Sequence, residues 1–551
     1  MPTVRSSRIK SPFNFDLVAP VRPGWQALWT TCPQRILMVC DELNFSTDDF
    51  GLDEVISKVL KVAVSGYRVP QITTAHRQSG RVADIPGFRF DVAPPAPHKA
   101  FSFANYDQLW LFGVASAGHS LALSDNELQL VADFMDAGGG VFATGDHEDL
   151  GAALCGRIPR VRSMRSWFNP PVPAAMNWAP PAPSGSSANR IDSLTPGDDE
   201  FFTFNDQSDA HPQRIHVRYF EHLVTAVAND YKPHPLMLRR DGRPILHFPD
   251  HAHEGVCVEP SNLAQTYQFT KPAKPEYPSS SVSQPFVIAT GFSGGGQVID
   301  AGKPAVQPRC FGLVSAYDGH LVNVGRVACD STWHHWININ LNGTGSGRAG
   351  FYVDGVRTAE YSDEICQYYR NLVTWLAPTR IRRCHAIFDL VALSLSYPLL
   401  EEWRQPERAP EWRELLAMGH QVVSAARAAG LPDAELRWSG VLAELLGKNA
   451  SASLQAQISP WSGERPAQDV NAAELRLLLL GAAMHTVWEI RPNDPGELGQ
   501  STEKASAELR ETIVKALAKT LPQALQMYAK GLQERIDGRA RALKVVQSWA
   551  G

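Results

Sequence analysis

The sequence predicts an α/β fold, a mostly parallel, doubly wound sheet followed by an all-helical C-terminal domain. Three observations carry this. Short aliphatic runs alternate with helical spacing through the first two thirds of the chain. Those runs are apolar on both faces, as strands of a parallel sheet covered by helices must be. From about residue 380 the periodicity becomes helical throughout.

The first run, RILMVCDE at 35–42, reads as a strand ending in acids, Asp41 and Glu42. A helix is expected next, with Ser46, Thr47 and Asp48 as candidate caps and Leu52, Val55, Ile56, Val59 and Leu60 at helical spacing. FRFDVAPP, near 88–95, is expected to be a second strand and YDQLWLFGV at 106–114 a third. SDNELQLVADFMDAGG then supplies a helix, with Ser124 as cap, Glu127 at the capping-box position and glycine as stop. VFAT at 141–144 is the next strand. The Pro-, Ser- and Asn-rich stretch 157–215 reads as a lid over the sheet edge. A helix is expected at 215–229, a hairpin at 237–248 (MLRRDGRPILHF), and strands at 286–291, at 311–316 and at the start of GRVACDSTWHHWININL, 325–341. In the helical region, Pro522 and Gly538 are expected to interrupt the last helical run.

At 551 residues the chain exceeds what one core serves. The division that follows is an N-terminal extension 1–34, an α/β domain 35–379 and a helical domain 380–551. The net charge of −5 gives no electrostatic reason to expect nucleic acid or an anionic membrane as partner. The N-terminus lacks an apolar leader, and the apolar stretches near 386–400 and 475–488 are too short to span a bilayer, so a cytoplasmic location is expected. The eight cysteines, at 32, 40, 155, 257, 310, 329, 366 and 384, show no C-x-x-C pair and no disulfide framework. Cys40 and Cys329, inside apolar runs, read as small core residues.

Three segments repeat one pattern, in which an apolar strand ends in Asp and histidines follow. GDHEDLG brings Asp146, His147, Glu148 and Asp149; HFPDHAHEG brings Asp250, His251, His253 and Glu254; VACDSTWHHW brings Asp330, His334 and His335. In an open parallel sheet, sites form outside the carboxyl ends of the strands, where distant segments converge. Imidazole and carboxylate suit Zn²⁺, with Mn²⁺ or Fe²⁺ as alternatives. The expected metal ligands are therefore drawn from Asp146, His147, Asp250, His251, His253, Asp330, His334 and His335. His251 and His253 would share one face of an extended segment. Bland readings stand beside these: Asp146, Asp149 or Asp330 can cap a following helix, and His334 and His335 can lie in its first turn.

The succession RILMVCDE, YDQLWLFG, SDNELQLVADFMDAGGG and VFATG resembles the class I glutamine amidotransferase-like fold, and within it the ThuA-like branch associated with trehalose utilisation. GRVACDSTWHH is similar to that branch's late Gly-Arg strand with a following His. The likeness covers about 35–150 and 320–376. It implies a site at the strand ends and a sugar-related ligand. The amidotransferases' catalytic cysteine is missing, because Asp146 and His147 stand at its elbow and Cys155 follows too late in the chain.

The function expected from these readings is a metal-dependent hydrolase of a small molecule, with Glu148 or Glu254 as general base. In CGRIPRVRSMRSW, the guanidiniums of Arg157, Arg160, Arg162 and Arg165 could take a substrate carboxylate or phosphate, or make ordinary ion pairs. The alternative is a non-catalytic sugar-binding or sensor protein whose helical domain docks a partner or forms a homo-oligomer.

Overall fold

A computed structural model of the chain describes residues 32–64, 67–94, 102–146, 149–167, 213–225, 228–248, 255–293, 309–342, 358–396, 408–429, 431, 434–446, 472–491 and 503–550. The main sheet is built from β1 (Arg35–Cys40), β2 (Gln71–His76), β3 (Ile85–Pro86), β4 (Gln108–Phe112), β5 (Gly140–Thr144), β6 (His216–Val217), β7 (Phe286–Ser293), β8 (Arg309–Tyr317) and β9 (Val327–Asp330). Their spatial order is β3-β2-β1-β4-β5-β9-β8-β7-β6. The first six in that order are parallel to one another and the last three joints are antiparallel.

Side-chain alternation decides which face each strand residue serves. Ile36, Met38, Cys40, Trp110, Phe112, Phe142 and Ala328 bury on one face. There the helix α2 (Thr358–Trp375) and the Glu54–Leu60 segment cover them. Leu37, Val39, Leu109, Leu111, Val141, Ala143, Val327 and Cys329 bury on the other, under α1 (Asp125–Asp136) and residues 150–167. The Ser124–Glu127 capping box of α1 forms as the spacing predicts.

Several expectations change. FRFDV is not a strand; Phe88 and Phe90 bury their rings against each other, Phe90 also against Phe103. The strand at this point in the chain is QITTAH, parallel to β1. The segment near 215–229 is extended, not helical: His216–Val217 is β6, and Tyr219–Thr225 pairs antiparallel with Ala228–Pro233. The Glu54–Leu60 turn is a π-helix that buries Val55, Ile56, Val59 and Leu60 as expected, but Asp53 precedes it with no side-chain cap bond. Residues 157–167 carry buried side chains such as Val161, Met164 and Trp167; residues 168–212 of the expected lid lie outside the described residues.

The helical part comprises α3 (Thr379–Ser396), α4 (Trp412–Ala428), α5 (Ala434–Leu445), α6 (Ala472–Ile490) and α7 (Glu503–Ala550). Its apolar residues form a core of their own, from Cys384 to Tyr528. Pro522 sits inside α7 without ending it, and the helix runs through Gly538 as well. Helix α6 is buried nearly all round, and α4 crosses it closely. A Cβ on Gly419 would fall 1.9 Å from Leu477 O, and one on Gly481 would fall 1.8 Å from Leu415 O. Gly481→Ala is therefore expected to lower stability by about 1–3 kcal/mol through overpacking. An unchanged urea midpoint would show that the two backbones do not meet there.

The helical part meets the sheet at the amino ends of its strands. Gln34, just before β1, has its Nε2 3.5 Å from His385 Nδ1 on α3. Arg380 pairs with Asp107, Arg382 Nη1 lies 2.7 Å from His320 Nδ1, and Arg68 pairs with Asp389 at 2.9 Å. The carboxyl ends of the parallel strands, opposite this junction, carry the acids singled out in the sequence. Among the described residues no helix is long and apolar enough to cross a membrane.

Candidate functional site at the carboxyl ends of the strands

Strand β5 ends at Thr144, and Gly145 turns the chain. A Cβ at Gly145 would meet Leu150 O and the Trp167 ring, both at 2.7 Å, so only glycine fits. Asp146 N donates to Leu150 O at 3.0 Å, which closes the loop. On the neighbouring parallel strand, β9 ends at Asp330 and a tight helical turn follows, Trp333–His335, capped by Thr332, whose hydroxyl accepts from His334 N at 3.1 Å. Trp333 N donates to Gly145 O at 2.9 Å, joining the two strand-end loops.

This arrangement brings Asp146 and His334 together. Asp146 Oδ2 lies 3.4 Å from His334 Nε2, and Thr332 Oγ1 lies 3.4 Å from Asp146 Oδ1. Asp146 is 3% exposed, while the His334 side chain keeps 15% of its surface in solvent with its ring stacked on Trp333 at 4.2 Å. A second Asp–His pair lies deeper. Asp330 Oδ1 is 2.8 Å from His335 Nδ1, and Asp330 Oδ2 accepts from Trp336 Nε1 and Tyr368 OH, both at 3.2 Å. Tyr369 OH donates to His335 O. Asp330 is therefore not a helix cap. It fixes the His335 ring, whose Nε2 has no hydrogen-bond partner among the described residues.

Arg165 binds the loops into one rim. Its Nη2 donates to Asp146 O and Ser331 O, each at 2.6 Å, its Nε to Asp330 O at 3.2 Å and Ser331 O at 3.1 Å, and its Nη1 to Ser166 O at 2.9 Å. The guanidinium is fully buried over the Trp167 ring, and burial holds it below the ordinary arginine range. Asp41, at the end of β1, spans the point where strand order reverses. It accepts from Val114 N at 2.8 Å and Ala115 N at 3.1 Å, just beyond β4, and burial pushes its carboxyl up to about 6. Glu42 is part-exposed, 3.8 Å from His119 Nε2. Asp149 accepts from Ala117 N at 3.2 Å.

His147, Glu148, Asp250, His251, His253 and Glu254 lie outside the described residues. Their described neighbours stand at the rim. Asp146 and Asp149 flank the first two. On either side of 249–254, the Phe248 ring is 4.8 Å from the His335 ring, and Gly255 packs so closely that a Cβ would fall 2.0 Å from Ser331 O. Among the described residues no group of three or more His, Cys, Asp or Glu is placed to hold a metal ion.

Most of the arginine run is taken up inside the protein. Arg160 pairs with Asp136 at 2.6 Å, and its amide and Nε bond to Glu276 at 2.5 and 2.8 Å. Arg162 pairs with the same buried Glu276 at 2.8 Å, and Arg157 pairs with Asp125 at 2.6 Å at the surface. The reason lies at Glu276: a fully buried carboxylate needs donors, and the Arg162 guanidinium, the Arg160 amide and the Ser163 hydroxyl supply them. Cys155 is a core thiol, its pKa raised by burial and by Asp41. Cys40, Cys257, Cys329 and Cys366 are likewise buried thiols. Cys32 and Cys384 form a disulfide that the cysteine spacing did not signal.

Sequence reasoning did not single out Thr332, Trp336, Tyr368 or Glu276, and left Arg165 between substrate binding and ordinary ion pairing. A hydroxyl two residues before His334 was the only signal for the Thr332 cap. No protein family, curated protein or solved structure matches this chain.

Proposed function

We propose that the protein is a hydrolase of a small molecule, working at the carboxyl-end rim of the sheet with a divalent metal ion, Zn²⁺ by its donor types. The observation that carries this reading is the approach of Asp146 Oδ2 to His334 Nε2, 3.4 Å, from the ends of two adjacent parallel strands. That is the separation of two atoms that bind one ion at about 2.0–2.2 Å each. Two ligands do not hold a catalytic ion, so the reading needs at least one more. His147, next to Asp146, and the Asp250–Glu254 stretch between Phe248 and Gly255 are the candidates. A bound ion would supply a water acidified toward neutrality. The chain's part is to hold the rim. Arg165 fixes both loops by their carbonyls, Trp333 orients the His334 ring, and Asp330 fixes His335.

With Arg160 and Arg162 in internal pairs, the reading no longer calls for an anionic substrate. A sugar-related substrate remains part of the proposal through the ThuA-like resemblance, as do Glu148 or Glu254 as general base.

The test is metal analysis of the purified chain together with turnover of a panel of esters, amides and glycosides. His334→Ala is expected to lower metal content and to reduce turnover at least a hundredfold, while the melting temperature with chelator present stays near wild type, since the ring is part-exposed. A chain that binds no transition metal, does not respond to added Zn²⁺ and turns over nothing in the panel would overturn the reading and leave a ligand-binding protein.

A further inference from the structure

The junction of the sheet with the helical part contains two sulfurs that the proposed chemistry does not use. Cys32, three residues before β1, is bonded to Cys384 on α3 across a sequence separation of 352, with Cα atoms 6.4 Å apart. A third element faces the bond. Arg510 Nη1, on α7, lies 3.3 Å from Cys32 Sγ and 3.6 Å from Cys384 Sγ.

A cation beside sulfur stabilises thiolate, and a disulfide whose leaving thiol has a lowered pKa exchanges faster. The geometry also sets which sulfur is attacked. Cys32 is part-exposed, whereas Cys384 is 1% exposed. An incoming thiolate reaches Cys32 and expels Cys384 as the thiolate, next to Arg510. Cys32 is moreover held at φ 59°, a left-handed conformation that a non-glycine residue keeps only under constraint. His385, one residue beyond Cys384, supports it with Nε2 3.0 Å from Cys32 O.

We propose that Cys32–Cys384 is a thiol-reducible modification site, a latch between the sheet and the helical part that a dithiol opens. One thiolate of the dithiol attacks Cys32 Sγ, the Sγ–Sγ bond breaks, and the Cys384 thiolate takes a proton. The second thiol of the dithiol attacks the mixed disulfide and releases Cys32 as a thiol. The dithiol leaves as its cyclic disulfide, having given two electrons to the protein. Contacts that do not involve sulfur persist, among them Arg68–Asp389 and the Gln34–His385 contact at 3.5 Å. The helical part therefore stays attached, and the start of α3 loosens.

The experiment uses the full chain. Non-reducing peptide mapping is expected to recover one cross-linked pair containing residues 32 and 384. Dithiothreitol added to the native protein, followed by alkylation, is expected to label Cys32 and Cys384 while Cys40, Cys155, Cys257, Cys329 and Cys366 stay protected. Hydrogen exchange at the start of α3 rises on reduction. Arg510→Gln is expected to slow reduction about three- to tenfold, and Arg510→Lys to restore most of the rate, as a charge effect requires. No cross-linked peptide, reduction only in denaturant, or a rate unchanged in Arg510→Gln would each overturn the proposal.

Discussion

Arg165→Met is expected to lower the free energy of unfolding by about 3–5 kcal/mol, because four backbone carbonyls lose their donor at once. Replacing a buried charge by an apolar side chain of similar volume is often harmless when the partner charge is removed too. Here the partners are the carbonyls of Asp146, Ser166, Asp330 and Ser331, and no substitution removes them. The space around the guanidinium is shaped for it. A Cβ on Gly255 would fall 2.3 Å from Nη2 and one on Gly145 would fall 3.2 Å from Nη1, so both glycines are as small as the fork demands. Arg165→Lys keeps the charge but not the fork, and is expected to recover less than half of the loss. Urea denaturation of the three proteins decides the matter. A wild-type midpoint for Arg165→Met would mean that water reaches these carbonyls.

Much of the sheet was legible because its parallel strands are buried on both faces. RILMVC, QLWLF and GVFAT are short continuous apolar runs, and nothing but a covered strand explains such runs between helical segments. QITTAH was not legible, since its first four residues are partly exposed and polar or β-branched. FRF misled for the opposite reason: its alternating rings pack into an aromatic cluster with Phe103 rather than onto a strand face. Pro522 was read as an interruption, yet Leu517, Leu521 and Ala524 around it are buried in the helical core, and that packing outweighs one lost hydrogen bond. At the rim, the recurrence of Asp with following histidines located Asp146, Asp330, His334 and His335 correctly at strand ends. Which histidine meets which acid was beyond the pattern. Crossed pairing, Asp146 with His334 and Asp330 with His335, depends on the tight turn that Thr332 caps.

Between pH 7.5 and pH 4 the protein is expected to lose at least about 4 kcal/mol of stability, through histidines buried in neutral form. His76 is pushed down from 6.5 to about 4 by burial, and His234 to about 3 by burial and then by the Arg326 charge. His320 is pushed well below its ordinary value by burial, with Arg326 and Arg382 adding to it. In the unfolded chain each takes a proton near pH 6.5, while in the native state they stay neutral until pH is much lower. The unfolded state therefore binds more protons in this window, and stability falls as pH drops from about 6.5. Asp41 acts in the opposite sense. Its native carboxyl takes a proton near pH 6 and its unfolded one near 3.8, so it returns part of the loss, roughly 2 kcal/mol. His76 and His234 together outweigh one aspartate, which leaves a net loss on acidification, and His320 acts in the same direction. Asp318, held well below the usual carboxylate range by Arg326, contributes only at lower pH. His234 packs on Trp375 at 4.9 Å, and its Nδ1 accepts from Leu236 N at 3.3 Å, so His234→Gln can keep the acceptor without the titration. Denaturation curves at pH 7.5 and pH 4 should show that variant losing about 3 kcal/mol of the wild-type pH dependence. Equal slopes for the two proteins would place the acid sensitivity elsewhere.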